Sequence, residues 1–205
     1  MGIYNDHILP RLTHLAMASK SLGKIRASAL ADARGVVLEA GLGSGLNLAH
    51  YPAGVTRLLA VEPSRVAQRM ARKAIARAAF PVEFAGLDGQ ALELPDASVD
   101  CVVTTWTLCT IPDPARALAE FHRVLRPGGR FLFVEHGLSP DARVARWQRR
   151  LDGLQQRIGG GCHLVRPIGA LIEASPLRIA ELKTFYAAGP PTHAYFYLGQ
   201  AERAT

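Results

Sequence analysis

Short apolar segments alternate with helix-forming segments along the middle of the chain, and this alternation limits the possible folds more than any other feature. Apolar runs typical of strands occupy 35–39, 57–62, 82–85, 99–105 and 130–135. Strands that are separated by helices pair in parallel and are joined by right-handed crossovers. Such sheets bind ligands at the carboxyl ends of their strands, near the point where the strand order reverses. The sequence therefore predicts an α/β sheet with its functional residues along that edge.

Capping residues mark where the intervening helices begin and end. Ser64 is predicted to start one helix, and Asp113 with Pro114 is predicted to start a second one. The Arg-Pro-Gly-Gly segment at 126–129 ends the second helix. A further helix is expected from near Ser44, directly after the first strand.

The flanking segments have different patterns. An amphipathic helix is predicted over 5–22, before the sheet. A second helix is predicted after Ser139, because apolar residues recur there at helical spacing, at Val144, Trp147, Leu151, Leu154 and Ile158. The last strands are predicted at 178–185 and 194–201, and the Gly-Pro-Pro turn between them favours antiparallel pairing.

The length of 205 residues favours a single domain over 1–205. Within it, we expect residues 1–30 to form an N-terminal helical cap. Residues 137–176 are expected to form a lid or substrate insert beside the sheet.

A glycine-rich turn follows the first predicted strand. Gly41, Gly43 and Gly45 allow a tight turn in which the backbone approaches a ligand closely. Their spacing differs from the dinucleotide fingerprint, whose last glycine position is occupied by Leu46. Glu39 stands just before the turn, where a carboxylate suits a cationic amino acid better than a pyrophosphate. The turn therefore disfavours a nicotinamide oxidoreductase.

Two more acidic residues end neighbouring strands. Glu62, followed by Pro63, stands where a carboxylate accepts hydrogen bonds from ribose hydroxyls, although it could also simply stabilise the start of a helix. Asp88, followed by Gly89 and Gln90, stands where a carboxylate could accept a hydrogen bond from an adenine amino group. The alternative for this segment is an ordinary Asp-Gly turn.

These residues, together with 94–100 and 125–129, closely resemble the class I S-adenosylmethionine-dependent methyltransferases, and the matching segments occur in family order. The resemblance implies a Rossmann-like, seven-stranded, mostly parallel sheet with an antiparallel last strand and helices on both faces. It implies S-adenosylmethionine as cofactor and S-adenosylhomocysteine as product.

The resemblance also implies cofactor contacts. The methionine part is expected among four residues around the first turn, namely Glu39, Gly41, Gly43 and Gly45. The remaining expected contacts are Glu62 and Pro63 for the ribose, Asp88 with Gly89 or Gln90 for the adenine, and Thr105 and Trp106 beside the transferred methyl group.

A narrower resemblance involves segments 4–12, 104–111, 134–136 and 160–164. They are similar to a bacterial branch of small methyltransferases that is related to methyltransferase-like proteins acting on alkyl thiols. This implies a small-molecule acceptor, with thiol, amine, hydroxyl and lipid headgroup all left open. The hydrophobic N-terminal anchor of the thiol-methylating proteins is absent from this sequence, so we expect no integral membrane insertion.

Two histidines are candidates for acid–base catalysis. His136 follows the fifth strand on the ligand side of the sheet, and His163 lies in a glycine-rich segment. Either could instead be a structural histidine. Cys109 and Cys162 could join them as metal ligands, but no metal-site spacing is present, so no metal is predicted. Buried cysteines commonly act as small apolar residues.

The net charge and the cysteine content limit the possible partners and the cellular location. The net charge of +7 permits nucleic acid or an acidic membrane, but the arginines are scattered and favour a solvated surface. An RNA or protein methyltransferase that uses a basic face over 143–157, or a non-catalytic cofactor-binding protein, remains an alternative. Three cysteines without a Cys-x-x-Cys pair, and no apolar signal core over 1–10, indicate the cytoplasm. The oligomeric state is not predicted.

Overall fold

A computed structural model of the chain describes residues 4–203 and contains a seven-stranded sheet. Its strands are β1 (Gly35–Ala40), β2 (Val55–Val61), β3 (Val82–Gly86), β4 (Val99–Thr105), β5 (Leu125–His136), β6 (Arg178–Tyr186) and β7 (Tyr195–Glu202). Their order is β3-β2-β1-β4-β5-β7-β6. Strands β1 to β5 pair in parallel, and β7 runs antiparallel to both β5 and β6. The strand order reverses between β1 and β4, which places a ligand crevice there.

Six α-helices accompany the sheet within the described residues. They are α1 (Leu9–Met17), α2 (Lys20–Leu30), α3 (Arg65–Ile75), α4 (Pro114–Val124), α5 (Ala142–Ile158) and α6 (Ile168–Glu173), and α1 is preceded by a π-helical turn over Tyr4–Ile8. The two predicted capping sites are confirmed. The Ser64 hydroxyl accepts a hydrogen bond from the Ala67 amide at 3.2 Å, and the Asp113 carboxylate accepts one from the Arg116 amide at 3.0 Å. In α3 and α4, a side chain thus satisfies one of the first-turn amides that would otherwise lack a partner.

Apolar residues of the strands alternate between two cores. Leu38 of β1 packs in the core that contains Phe121 of α4 and Ile168 of α6. Its neighbour Val37 packs on the opposite face, in the core that contains Leu30 of α2 and residues of α3. This alternation follows from the two-residue period of a strand. Helices therefore cover both faces, as the sequence predicts.

Two helix predictions near the N-terminus are wrong. No α-helix lies between β1 and β2, whose connection is fully described, because the glycine turn leads only into a 3-10 turn over Leu48–His50. Gly45 adopts a φ of 80° just before it, which is outside the helical range. The single helix predicted over 5–22 is interrupted after α1, where the Ser19 hydroxyl accepts a hydrogen bond from the Leu22 amide and starts α2.

Strand β5 begins earlier than predicted. Leu125 already pairs with Val99, whereas the next register pair joins Arg130 to Cys101. The residues between Leu125 and Arg130 bulge out of the ladder, and Gly128 adopts a φ of 73° there. The Arg-Pro-Gly-Gly segment therefore ends α4 and bends the start of the strand.

Helix α5 turns its predicted inner face outward. The largest apolar residues of that face remain about half exposed, namely Trp147, Leu154 and Ile158. The buried residues are Ala145 and Gln148 instead. The Gln148 side chain accepts a hydrogen bond from the Ser139 amide and donates one to the Gly137 carbonyl, both at 2.9 Å. These polar bonds orient the helix, so the apolar pattern predicted the wrong face.

Between residues 4 and 203, none of the helices combines the length and the apolar character that crossing a lipid bilayer requires. The roles predicted for 1–30 as a cap and for 137–176 as a lid or substrate insert remain predictions. Residues 1–3 lie outside the described part of the chain.

Candidate functional site

The glycine turn lies at the carboxyl end of β1, where the strand order reverses. Gly41, Gly43 and Gly45 have φ values of 84°, 57° and 80°, which L-residues with side chains rarely adopt. A Cβ atom on Gly41 would lie 2.3 Å from the Thr107 hydroxyl oxygen, so the turn also packs directly against the loop after β4. The turn is therefore fixed by both backbone conformation and close packing.

Glu39 braces this turn from inside the protein. Its two carboxylate oxygens accept hydrogen bonds from the Asn47 amide group at 2.8 Å and from the Tyr51 hydroxyl at 2.7 Å. Asn47 also donates to the Thr105 hydroxyl at 3.0 Å. The carbonyl oxygen of the Asn47 side chain is buried and has no partner in residues 4–203. Glu39 thus orients the turn, and Asn47, which no sequence pattern indicated, presents the unsatisfied acceptor.

Burial raises the pKa of Glu39 to about 7, although Tyr51, Asn47 and Arg26 each act to lower it. Between pH 4.5 and about 7, Glu39 is therefore mostly protonated in the folded protein and mostly ionised in the unfolded chain. A pKa raised on folding gives stability that is complete below the unfolded value and is lost as pH rises to the folded value.

We expect the Glu39→Gln variant to lose this pH dependence. Between pH 5 and 8 the unfolding free energy of the wild type should fall by about 2.5 kcal/mol relative to the variant. Chemical denaturation at several pH values measures the difference, and Glu83→Gln, at a half-exposed ion pair with Arg57, controls for the removal of a charge. A constant difference between wild type and Glu39→Gln over this range would contradict the raised pKa.

Glu62 links the glycine turn to the start of α3. Its side chain is buried and accepts hydrogen bonds from the backbone amides of Gly43 and Ser64, both at 2.7 Å. Burial raises the pKa of Glu62, and these two hydrogen bonds partly offset that shift. A carboxylate has about four acceptor positions, so two remain for ligand hydroxyls. Pro63 follows it directly, at the end of β2.

The third predicted segment follows β3 and is exposed. Asp88 accepts hydrogen bonds from both the backbone amide and the side-chain amide of Gln90, each at 2.8 Å. These bonds lower the pKa of Asp88. The side-chain oxygen of Gln90 in turn accepts a hydrogen bond from the Asp113 backbone amide at 2.8 Å. Asp88, Gly89 and Gln90 thus form a closed turn at the same edge of the sheet as Glu62.

Trp106 follows Thr105 at the end of β4 in an unusual conformation. Its φ of 52° is rare for a bulky residue, and its backbone amide donates to the Val134 carbonyl at 2.7 Å. The Arg26 guanidinium lies 4.7 Å from the centre of the indole ring, a cation–π distance. Arg26 is buried in α2, and no sequence pattern indicated its role at this site.

The N-terminal helices lie against the glycine turn. His14 of α1 forms a 2.7 Å hydrogen bond with the hydroxyl of Ser44, inside the glycine turn. Arg26 of α2 donates to the Met17 carbonyl at 2.9 Å and so ties the two helices together. The turn is therefore covered by segments far away in sequence.

A buried cluster of sulfur and imidazole groups lies at the carboxyl end of β5. The Nε2 atom of His136 is 2.9 Å from the Cys162 sulfur, which is 3.8 Å from the Cys109 sulfur. Burial lowers the pKa of His136, but the Cys162 hydrogen bond and the nearby Glu135 carboxylate raise it more. The pKa of Cys162 is raised, chiefly by its hydrogen bond with Cys109 and by burial. The fold thus brings His136 together with two cysteines from separate loops.

His163 belongs to the same loop as Cys162 but its side chain faces elsewhere. Its Nδ1 atom lies 3.4 Å from an Asp152 carboxylate oxygen, and the ring is partly exposed. Its backbone amide donates to the Cys109 carbonyl at 2.9 Å. The structure therefore separates the side chains of the two predicted histidines, and their catalytic roles remain predictions.

Comparisons with known proteins agree with this architecture. The methyltransferase domain family matches residues 38–133. Thiol S-methyltransferase TMT1B of Rattus norvegicus is 35% identical over 151 residues, which cover 72% of this chain and 62% of that protein. Phosphatidylethanolamine N-methyltransferase of Cereibacter sphaeroides is 30% identical over 148 residues, which cover 68% of this chain and 72% of that protein.

Among solved structures, a SAM-dependent methyltransferase from Methanosarcina mazei is similar in fold. Its TM-score is 0.63 at 20% sequence identity, and the match covers 82% of this chain and 92% of that chain. The chain spans less than two thirds of the length of the rat thiol methyltransferase that it matches.

Proposed function

Since this chain belongs to the S-adenosylmethionine-dependent methyltransferases, as its family match and its 30% identity to a relative that it largely spans show, we propose that it methylates a small thiol. The observation that carries the choice of acceptor is its likeness to thiol S-methyltransferases over 72% of its length. The buried cluster of Cys109, His136 and Cys162 beside the end of β5 supports it, because thiols are soft groups that suit such surroundings.

The residues around the β1–β4 crevice fit the cofactor. S-adenosylmethionine supplies a methyl group on a positively charged sulfur. The unsatisfied Asn47 carbonyl oxygen suits an ammonium group, and the glycine turn allows close approach of the backbone. Glu62 has acceptor positions left for ribose hydroxyls. We assign the adenine to the turn that Asp88 forms with Gln90.

For the acceptor, the protein must hold the nucleophilic atom in line with the methyl group and the cofactor sulfur. Holding two reactants in line contributes effective molarities on the order of 10⁵–10⁸ M. A free thiol with a pKa of about 8.5 is already partly ionised at neutral pH, so it needs only modest help to lose its proton. We assign the contact with the acceptor sulfur to His136, with His163 as the second candidate.

The test is a panel of acceptors incubated with labelled S-adenosylmethionine and scored by product mass. Small alkyl thiols should gain one methyl group and become thioethers. Phosphatidylethanolamine belongs in the panel, because a relative is named for that substrate. RNA and protein test the basic-face alternative. Methylation of the lipid or of RNA without thiol methylation would contradict the proposal, and binding without any product would identify a non-catalytic protein.

We expect His136→Ala to lower thiol turnover at least about 100-fold while changing cofactor affinity little. The reason is that His136 ends β5, which β4 separates from the strands that carry the glycine turn and Glu62. Single-turnover rates and calorimetric titration separate the two effects. His163→Ala tests the second candidate, and His122→Ala, on α4, is the control. Unchanged turnover in His136→Ala would remove this residue from the mechanism.

A further inference from the structure

Three side chains from separate segments converge on one point at the acceptor end of the sheet. Cys109 comes from the loop after β4, His136 ends β5, and Cys162 lies in the loop after α5. Their ligand atoms all lie within 4.8 Å of one another. We propose that Cys109, His136 and Cys162 bind a zinc ion whose fourth position takes the sulfur of the acceptor.

The spacing of the two sulfurs fits zinc. Zinc–sulfur bonds of about 2.3 Å at a tetrahedral angle place two sulfurs roughly 3.8 Å apart. The sulfurs of Cys109 and Cys162 are 3.8 Å apart. The distance from the His136 Nε2 atom to the Cys162 sulfur is 2.9 Å and must widen by roughly 0.6 Å to reach the corresponding nitrogen–sulfur spacing. Cys162 can make this move because it is only half buried and follows three consecutive glycines.

The backbone around the cluster is already held in place. The His163 amide donates to the Cys109 carbonyl at 2.9 Å and joins the two cysteine loops. The buried Arg166 guanidinium donates to the carbonyls of Leu108 and Ile111, on either side of Cys109. These bonds hold the two cysteine-bearing segments beside each other without any metal.

Three protein ligands match the pattern of catalytic zinc sites. Structural zinc sites use four protein ligands, whereas catalytic ones use three and leave a position open. The open position suits a thiol, because zinc binds thiolates well and deprotonates them. This step rests on the proposed function. In this proposal, His136 is a metal ligand and does not contact the acceptor sulfur directly.

The methyl group moves from the cofactor sulfur to the acceptor sulfur. The acceptor thiol loses its proton to water when its sulfur binds the zinc. The sulfur lone pair then forms a bond to the methyl carbon, while the bond from that carbon to the cofactor sulfur breaks. That bonding pair stays on the cofactor, which leaves as neutral S-adenosylhomocysteine. The product is a neutral thioether, which binds zinc more weakly than a thiolate and can leave.

The test is titration of the reduced full chain with Zn²⁺ against a chromophoric chelator. We expect about one tightly bound zinc per chain. Cys109→Ala and Cys162→Ala should each weaken zinc binding at least about 100-fold. Cys101→Ala is the matched control, because Cys101 is buried in the other core and should leave zinc binding unchanged.

Titration of the unmodified chain with Co²⁺ keeps the test independent of how the variants fold. We expect thiolate charge-transfer bands and the visible bands of tetrahedral Co²⁺. A chain without these bands, or a Cys109→Ala/Cys162→Ala double variant with undiminished zinc affinity, would overturn the site. Thiol methylation at an undiminished rate by a zinc-free chain would overturn the binding of the acceptor sulfur by zinc and leave the proposed function standing. Zinc binding without thiol methylation would support the site and remove the proposed function.

Discussion

Replacing Glu62 with alanine is expected to weaken S-adenosylmethionine binding at least about 100-fold, because two hydrogen bonds between a carboxylate and hydroxyls contribute about 1.5–3 kcal/mol each. The variant also removes the bonds that hold the Gly43 and Ser64 amides at 2.7 Å. The glycine turn then loses its link to α3. Isothermal titration calorimetry with the cofactor measures the loss directly.

Two further variants separate the effect of losing the ribose contact from the effect of losing the bonds to the Gly43 and Ser64 amides. Glu62→Gln keeps a side chain of the same size and one acceptor oxygen, so it should bind the cofactor better than Glu62→Ala. Glu83→Ala removes a carboxylate from the neighbouring strand and should bind like the wild type. Thermal unfolding without cofactor reports whether the Glu62 variants remain folded. Wild-type affinity in a folded Glu62→Ala variant would end the ribose assignment.

The features that depend on neighbouring residues could be predicted from the sequence. Ser64 and Asp113 start helices because each hydroxyl or carboxylate accepts a bond from an amide three residues later. The strands follow from short apolar runs between turns, and β4 occupies the predicted range. The glycine turn and Glu62 come from adjacent strand ends, so the topology alone brings them together.

Features that depend on packing could not be predicted. The apolar stripe of α5 has the spacing of a buried face, yet Trp147 is half exposed because Gln148 bonds the neighbouring loop and sets the rotation of the helix. Likewise, Ser44 resembles a helix-capping residue, but its hydroxyl instead forms a hydrogen bond with His14 of α1. Tertiary contacts override local preference in both cases.

The cluster of Cys109, His136 and Cys162 was the least predictable part of the candidate site. Cys109 and Cys162 are 53 positions apart, so no sequence spacing marks them as neighbours. The same holds for Arg26, which reaches the Trp106 ring from a helix before the sheet. A site made from successive strand ends can be predicted from local sequence patterns, whereas a cluster formed by distant loops cannot.

Replacing Gly41 with alanine is expected to lower the free energy of unfolding by about 3 kcal/mol or more and to abolish cofactor binding. Two costs add. The φ of 84° is unfavourable for any residue with a Cβ atom. That atom would also lie 2.3 Å from the Thr107 hydroxyl oxygen and 2.7 Å from its methyl carbon, so the loop after β4 must move away. Denaturant unfolding and calorimetric titration measure the two losses.

Gly128→Ala provides the matched control for backbone strain. Gly128 has a similar φ of 73°, but a Cβ atom there would meet nothing within 4 Å. It should therefore cost only about 1 kcal/mol, and the excess in Gly41→Ala measures the clash. Adding Thr107→Ala removes both clashing atoms and leaves the Thr107 Cβ at 3.1 Å, so the Gly41→Ala/Thr107→Ala double variant should recover part of that excess. Equal destabilisation by Gly41→Ala and Gly128→Ala would mean that the turn does not depend on this contact.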